Sequence, residues 1–297
     1  MKRILVFGVI ILVLSGCRRG AEKVAPVPYI DWESSSVTAN GVRIHYWRTG
    51  GTDKPVMIMA HGITDYGLSW ASLGGRLQDD YDVIMYDARG HGFSEKPDGS
   101  YTIATHVQDL VGLIEALGIE KPILVGHSMG SGTVAQAAAT YPDLPRAVIM
   151  EDPALAEMLE YLKEVNIPEW KKLIEADRAM GKPALMKLAR TKRHPGWSDF
   201  EYDHWAEAKL LVSSNVVKVL QGDGMGEPPA EIYSKIIAPT LILKADAAEE
   251  NRKEHLEVAG LLSNGKLVHI DGATHLVRQD KPVETERQIR AFLDGVE

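Results

Sequence analysis

The sequence predicts an α/β fold: a mostly parallel central sheet, helices on both of its faces, and a helical insertion. Three observations predict it. Short, continuously apolar runs recur, among them "PVMIMAHG", "YDVIMYDARG", "PILVGHS" and "RAVIMEDP", and such runs suit strands covered on both faces. Segments with helical spacing of apolar residues lie between them, an alternation typical of parallel sheets. After Pro153 the rhythm stops for about 80 residues and returns at "PTLILKAD", which marks an insertion into an otherwise continuous core.

At 297 residues the chain is long enough for one large core or two modest ones. Its 45% hydrophobic and 25% charged residues are those of a globular protein. The net charge of -8, with no long basic run, argues against a nucleic-acid partner, because phosphate binding needs clustered Lys and Arg.

The beginning of the chain reads differently. In "MKRILVFGVIILVLSGC" two cations precede an apolar stretch from Ile4 to Leu14. That stretch is shorter than the ~20 residues a bilayer span needs, but it suits a signal peptide. Leu14-Ser15-Gly16-Cys17 resembles a bacterial lipobox, so residues 1–16 are expected to be a lipoprotein signal peptide and Cys17 the lipidated N-terminus. The implied location is the cell envelope, with the membrane as a partner through the anchor. Cys17 is the chain's one cysteine, so no intramolecular disulfide is available. Residues 17–36 mix charge with Pro and Ser and read as a tether.

From residue 37 the elements follow in order. In "VTANGVRIHYW" Asn40-Gly41 separates two strand-like runs as a hairpin turn would. The apolar runs already quoted then alternate with helices through residue 152, the first part of the core. In "TIATHVQDLVGLIEALGI" Ile103, Val107, Leu110, Val111, Ile114 and Leu117 lie at helical spacing, and Gly118 stands in the C-cap position. Residues 153–236 read as a helical cap containing Trp170, Trp197 and Trp205. Residues 237–297 supply the second part of the core: the strands "PTLILKAD" and "GKLVHIDGATH" and a last helix.

Chemistry is concentrated at "LVGHSMGSGTVAQAAA". Gly126-His127-Ser128-Met129-Gly130 is a G-x-S-x-G pattern between an apolar strand and a helix, the setting of a nucleophile elbow. Glycines on either side relieve crowding at a sharp turn and leave the Ser128 hydroxyl at its tip. Gly132 and the following alanines are expected to let the helix lie close to the sheet.

With "HGITDYGLSW", "YDARGHGFS" and "IDGATHLV", this pattern makes residues 37–297 resemble the α/β-hydrolase fold family. The resemblance implies that Ser128 is the nucleophile and His275 the base that takes its proton. His269 is expected to pack within its strand, and His61, His91 and His127 to belong to structural loops. The acid should lie between residues 128 and 275. Asp246, after "TLILKA", is the first choice, although Ala245 and Ala248 depart from the family pattern there. Glu249, Glu250, Glu151 and Asp152 are the alternatives. The oxyanion hole is implied to be the backbone N–H groups of Ile63 and Met129. Asp87 and Arg89 are expected to brace loops. The cap tryptophans, with Met158, Met180 and Met186, either line an apolar pocket or pack the cap.

The function these residues imply is a serine hydrolase acting on ester-like bonds of small or medium apolar substrates through an acyl-enzyme. A lactonase, a carbon–carbon bond hydrolase and a cofactor-free haloperoxidase-like enzyme would use the same triad. Serine at the elbow argues against dehalogenase and epoxide-hydrolase chemistry, for which the family uses aspartate. No metal or organic cofactor is implied. A non-catalytic, membrane-tethered ligand-binding module is the alternative from another class. The oligomeric state is open.

Overall fold

The computed structural model describes residues 32–155 and 157–296. The expected signal peptide 1–16, Cys17 and most of the expected tether lie outside the described residues. Strands β1 (Glu33–Ala39) and β2 (Val42–Arg48) form a hairpin around Asn40-Gly41. Both turn residues have positive φ (46° and 74°), as a tight hairpin turn requires. β1 therefore begins inside the segment 17–36, because Glu33 to Ser36 pair with Arg48 to His45.

The chain continues through β3 (Val56–Ala60), α1 (Ala71–Leu77), β4 (Asp82–Tyr86), α2 (Ile103–Ala116), β5 (Ile123–His127), α3 (Met129–Thr140) and β6 (Ala147–Glu151). The insertion holds α4 (Glu157–Lys163), α5 (Ile167–Met180), α6 (Lys182–Leu188), α7 (Asp199–Leu211) and the single turn α8 (Pro229–Ile232). Then follow β7 (Thr240–Ala245), α9 (Glu249–Ala259), β8 (Gly265–Ile270), α10 (Val277–Asp280) and α11 (Pro282–Leu293). The strands form one sheet in the order β1-β2-β4-β3-β5-β6-β7-β8. Pairing is antiparallel from β1 to β4 and parallel beyond.

Both faces of the sheet are covered, which is why the central strands read as unbroken apolar runs. Ile58, Leu124, Val148, Met150 and Ile242 pack toward α2, α3 and α9. Their strand neighbours Met57, Met59, Val125, Ile149, Leu241 and Leu243 pack toward α1 and α11. α2 buries Ile103, Val107, Leu110 and Ile114, is capped by the Thr102 hydroxyl accepting from Thr105 N–H, and is followed by Gly118 at φ 63°.

The insertion has two parts. Leu185, Ala189, Trp197, Tyr202, Trp205 and Ala206 form a small core of its own. From Val219 to Ile236 the chain instead joins the main core beside α3, so the expected cap 153–236 ends earlier as an independent layer. Among the described residues no helix is long and apolar enough to cross a membrane.

Candidate active site

Ser128 sits where β5 ends and α3 begins, at φ 53° and ψ -114°. A non-glycine residue there is strained, and such residues cluster at functional sites. The crowding around it explains the flanking glycines. A Cβ on Gly126 would lie 2.3 Å from the Gly130 carbonyl oxygen, and one on Gly130 would lie 2.1 Å from the Ala60 oxygen. Gly132 is different: a Cβ there would meet Ile103 at an ordinary 3.5 Å, so close packing does not require it. The Ser128 side chain is partly exposed between the buried His127 and Met129. Among the described residues its hydroxyl makes no hydrogen bond.

His275 lies in the loop between β8 and α10, and two contacts bring that loop to the elbow. His127 Nε2–H donates to the His275 carbonyl at 2.9 Å, and the two rings lie 4.7 Å apart. His275 Nδ1–H donates to Asp152 Oδ2 at 2.5 Å, although the two residues are 123 positions apart in the chain. The Ser128 N–H in turn donates to the Glu151 carbonyl, one residue before Asp152. Imidazole and carboxylate therefore meet beside the elbow that carries Ser128, at the carboxyl ends of β5, β6 and β8.

The structure brings Asp152 to His275, and not Asp246, the first choice of acid. Asp152 is buried, has positive φ (42°), and burial alone would raise its carboxyl's pKa. The neighbouring Lys244 charge and the His275 hydrogen bond overcome burial and hold it well below the usual carboxylate range. The Asp246 side chain has other partners than His275. It is exposed, accepts from Gly272 N–H at 2.8 Å and pairs with Arg252 at 2.5 Å, so it braces the loop that carries the histidine. Glu249 and Glu250 are exposed in the first turn of α9. Glu151 is buried against Arg278, at 2.8 Å from both Nη1 and the backbone N–H.

The segments that carry the expected oxyanion donors are also drawn together. The Gly130–Ala60 approach lays the loop after β3, which carries Ile63, directly on the elbow, which carries Met129. Among the described residues neither amide has a backbone acceptor. The loop is held from both sides. His91 Nε2 lies 2.9 Å from the Ile63 carbonyl, and Lys209 of α7 donates to the Thr64 carbonyl and hydroxyl at 2.8 and 2.7 Å. His61, on the same loop, accepts from Ala88 N–H, and burial pushes its pKa down to about 3. Asp87 accepts from Gly67 and Phe93 N–H, and Arg89 grips Asp109 with two nitrogens, the bracing roles expected of them.

Around Ile63 the surroundings are apolar: Tyr101, Ile174, Val212, Val216, Val217 and the half-buried Trp170. Trp197 and Trp205 pack the interior of the cap, and Met186 packs beside them. Met180 is exposed. His269 packs against His255. Among the described residues no group of three or more His, Cys, Asp or Glu side chains could hold a metal ion.

Lys244, the one charged residue of β7, is not singled out by the sequence pattern read above. A lone cation in "TLILKA" was the available signal that a buried carboxylate lay opposite it.

A family model described as alpha/beta hydrolase fold matches residues 55–186. 2-(Acetamidomethylene)succinate hydrolase of Mesorhizobium japonicum is 31% identical over 251 residues, covering 81% of this chain and 88% of that protein. Epoxide hydrolase A of Mycobacterium tuberculosis is 27% identical over 312 aligned positions, covering 88% and 97%. A crystal structure of E-2-(acetamidomethylene)succinate hydrolase superposes with a TM-score of 0.74 at 26% identity, covering 89% of this chain and all of that one.

Proposed function

The chain belongs to the α/β-hydrolase family, and on that premise we propose that it is a serine hydrolase with Ser128, His275 and Asp152 as its triad. The observation that carries this assignment is the 2.5 Å contact of His275 Nδ1 with the buried Asp152 carboxylate, beside a serine held in strained backbone geometry. Asp152 fixes the imidazole so that Nε2 accepts the Ser128 proton as Oγ attacks a substrate carbonyl. The Ser128–His275 hydrogen bond forms as substrate enters, the stage at which such contacts tighten. The Ile63 and Met129 N–H groups stabilise the developing oxyanion. The alcohol leaves with the proton from His275, and water then cleaves the acyl-enzyme by the same route in reverse.

We propose a carboxylic ester of small or medium size with an apolar acyl part as the substrate, which the apolar surroundings of Ile63 favour. A second reading, hydrolysis of an acyl–nitrogen bond, is favoured by the likeness to 2-(acetamidomethylene)succinate hydrolase. Epoxide-hydrolase chemistry is disfavoured by Ser128 at the elbow, where the family uses aspartate for that reaction. We also propose that Cys17 carries lipid and anchors the enzyme to a membrane of the cell envelope. A Cys17→Ala variant that still incorporated labelled fatty acid would refute that.

A fluorophosphonate probe tests the enzymatic assignment. Wild type should be labelled and Ser128→Ala should not. A folded wild type that takes no label would instead favour a binding module. Rates on 4-nitrophenyl esters of increasing chain length, set beside the matching anilides, then separate the ester from the acyl–nitrogen reading.

A further inference from the structure

We infer that Lys244 is a positioning residue of the active site: it occupies one carboxylate oxygen of Asp152 and so leaves the other charged and aimed at His275. The inference rests on the serine-hydrolase assignment and adds a residue to it.

The two oxygens of Asp152 divide their work. Oδ1 accepts from Lys244 Nζ at 2.6 Å and from Ala245 N–H at 3.1 Å, while Oδ2 takes His275 Nδ1–H. Lys244 Nζ also donates to the Pro153 carbonyl at 3.0 Å, and the Asp152 N–H donates to the Leu243 carbonyl at 2.8 Å. The end of β7 therefore grips the acid through its backbone, its carboxylate and the residue that follows it.

Strand geometry decides why a lysine can do this. Leu241, Leu243 and Ala245 point to one face of the sheet, so Lys244 points to the other with Ile242. Its side chain is only 5% exposed, and that of Asp152 only 3%. A buried ammonium is costly unless paired, and an apolar pair of similar volume is often as stable or more so. Packing alone therefore gives no reason for a cation here. The chemistry does. A carboxyl this deeply buried tends to become neutral, and a neutral carboxyl cannot stabilise the imidazolium that forms during attack. Lys244 counters that tendency and keeps Oδ1 from competing for His275.

The test is a double-mutant cycle on the full chain, read by kcat, KM and the rate of fluorophosphonate labelling. Lys244→Met should lower kcat by about 10²-fold with KM changed less than about threefold, the pattern of a misplaced catalytic group. Lys244→Arg should recover most of the loss. In an Asp152→Asn background, Lys244→Met should change kcat by less than about threefold, because the lysine then has no charge left to orient. Near-normal kcat in Lys244→Met, or an equal loss in both backgrounds, would overturn the inference. If Lys244→Met does not fold, Lys244→Gln decides in its place; if neither folds, Lys244 is structural and the inference falls. A wild type unlabelled at Ser128 would sink the serine-hydrolase assignment itself. A labelled wild type with Lys244→Met labelled equally fast would sink only the inference about Lys244.

Discussion

The Ser128 N–H donates to the Glu151 carbonyl at 3.0 Å, which ties the turn after β5 to the turn after β6. Through that bond the two positively twisted residues, Ser128 and Asp152, hold each other in register, and Asp152 reaches His275 from there. The carboxylate at the end of β7 is used differently, and that difference can be measured.

Asp152→Asn should lower kcat by about 10⁴-fold, since an amide in this place stabilises the wrong imidazole tautomer and no cation. Asp246→Asn should leave kcat within about tenfold of wild type. Asp246 holds Arg252 and Gly272 at the surface, and losing an exposed pair costs no more than about 1 kcal/mol. Steady-state rates on one 4-nitrophenyl ester check both. The opposite ranking would return the triad acid to Asp246.

The stretch around the elbow yields a contrast among its glycines. Gly130→Ala should destabilise by at least about 3 kcal/mol, because its Cβ would lie 2.1 Å from a backbone oxygen that cannot rotate away. Gly132→Ala should stabilise by about 0.5–1 kcal/mol, since it sits within α3 with room for a methyl and gains helix propensity. Urea midpoints of the two variants decide this; equal midpoints would mean the turn is looser than described.

These glycines also show how legibility divided. The elbow could be read because its signal is local: a serine, two glycines, a strand before and a helix after. The central strands could be read because burial on both faces leaves unbroken apolar runs. The acid could not, because carboxylates stand at the ends of two strands, Glu151 and Asp152 at β6 and Asp246 just after β7. Only the path of the loop that brings His275 to Asp152 distinguishes them. The end of the cap was hidden for a similar reason. Val219, Ile232 and Ile236 look like cap residues in sequence, and only the sheet against which they pack identifies them as core.

Glu151 adjoins Asp152, yet its role is structural. It accepts from the Arg278 guanidinium and backbone N–H, and that guanidinium also donates to the Ser69 carbonyl and lies 4.0 Å over the Trp70 ring. Both side chains of the ion pair are nearly inaccessible. Removing one member of such a pair leaves an uncompensated buried charge, so Glu151→Ala should cost about 3–5 kcal/mol. Chemical denaturation measures this. A loss below about 1 kcal/mol would show that the pair is solvated in solution.

Asp65 gives the fold a pH dependence. Burial would raise its carboxyl's pKa, but His127 at 3.3 Å, the Lys209 charge and the Arg278 charge together hold it well below the usual carboxylate value. A carboxyl with a depressed folded-state pKa stabilises the protein above its unfolded value of about 4, and that stabilisation is lost as pH falls through the folded value. Asp65→Asn should therefore be less stable than wild type at neutral pH, with the gap constant down to about pH 5 and closing below about pH 4. The asparagine also leaves Lys209 without its carboxylate beside the Ile63 loop, so labelling at Ser128 should slow at neutral pH where the deficit is full. Melting temperatures of both proteins across that range test the linkage. A gap that stayed the same at the lowest pH would mean that Asp65 acts through shape alone, with its charge counting for nothing.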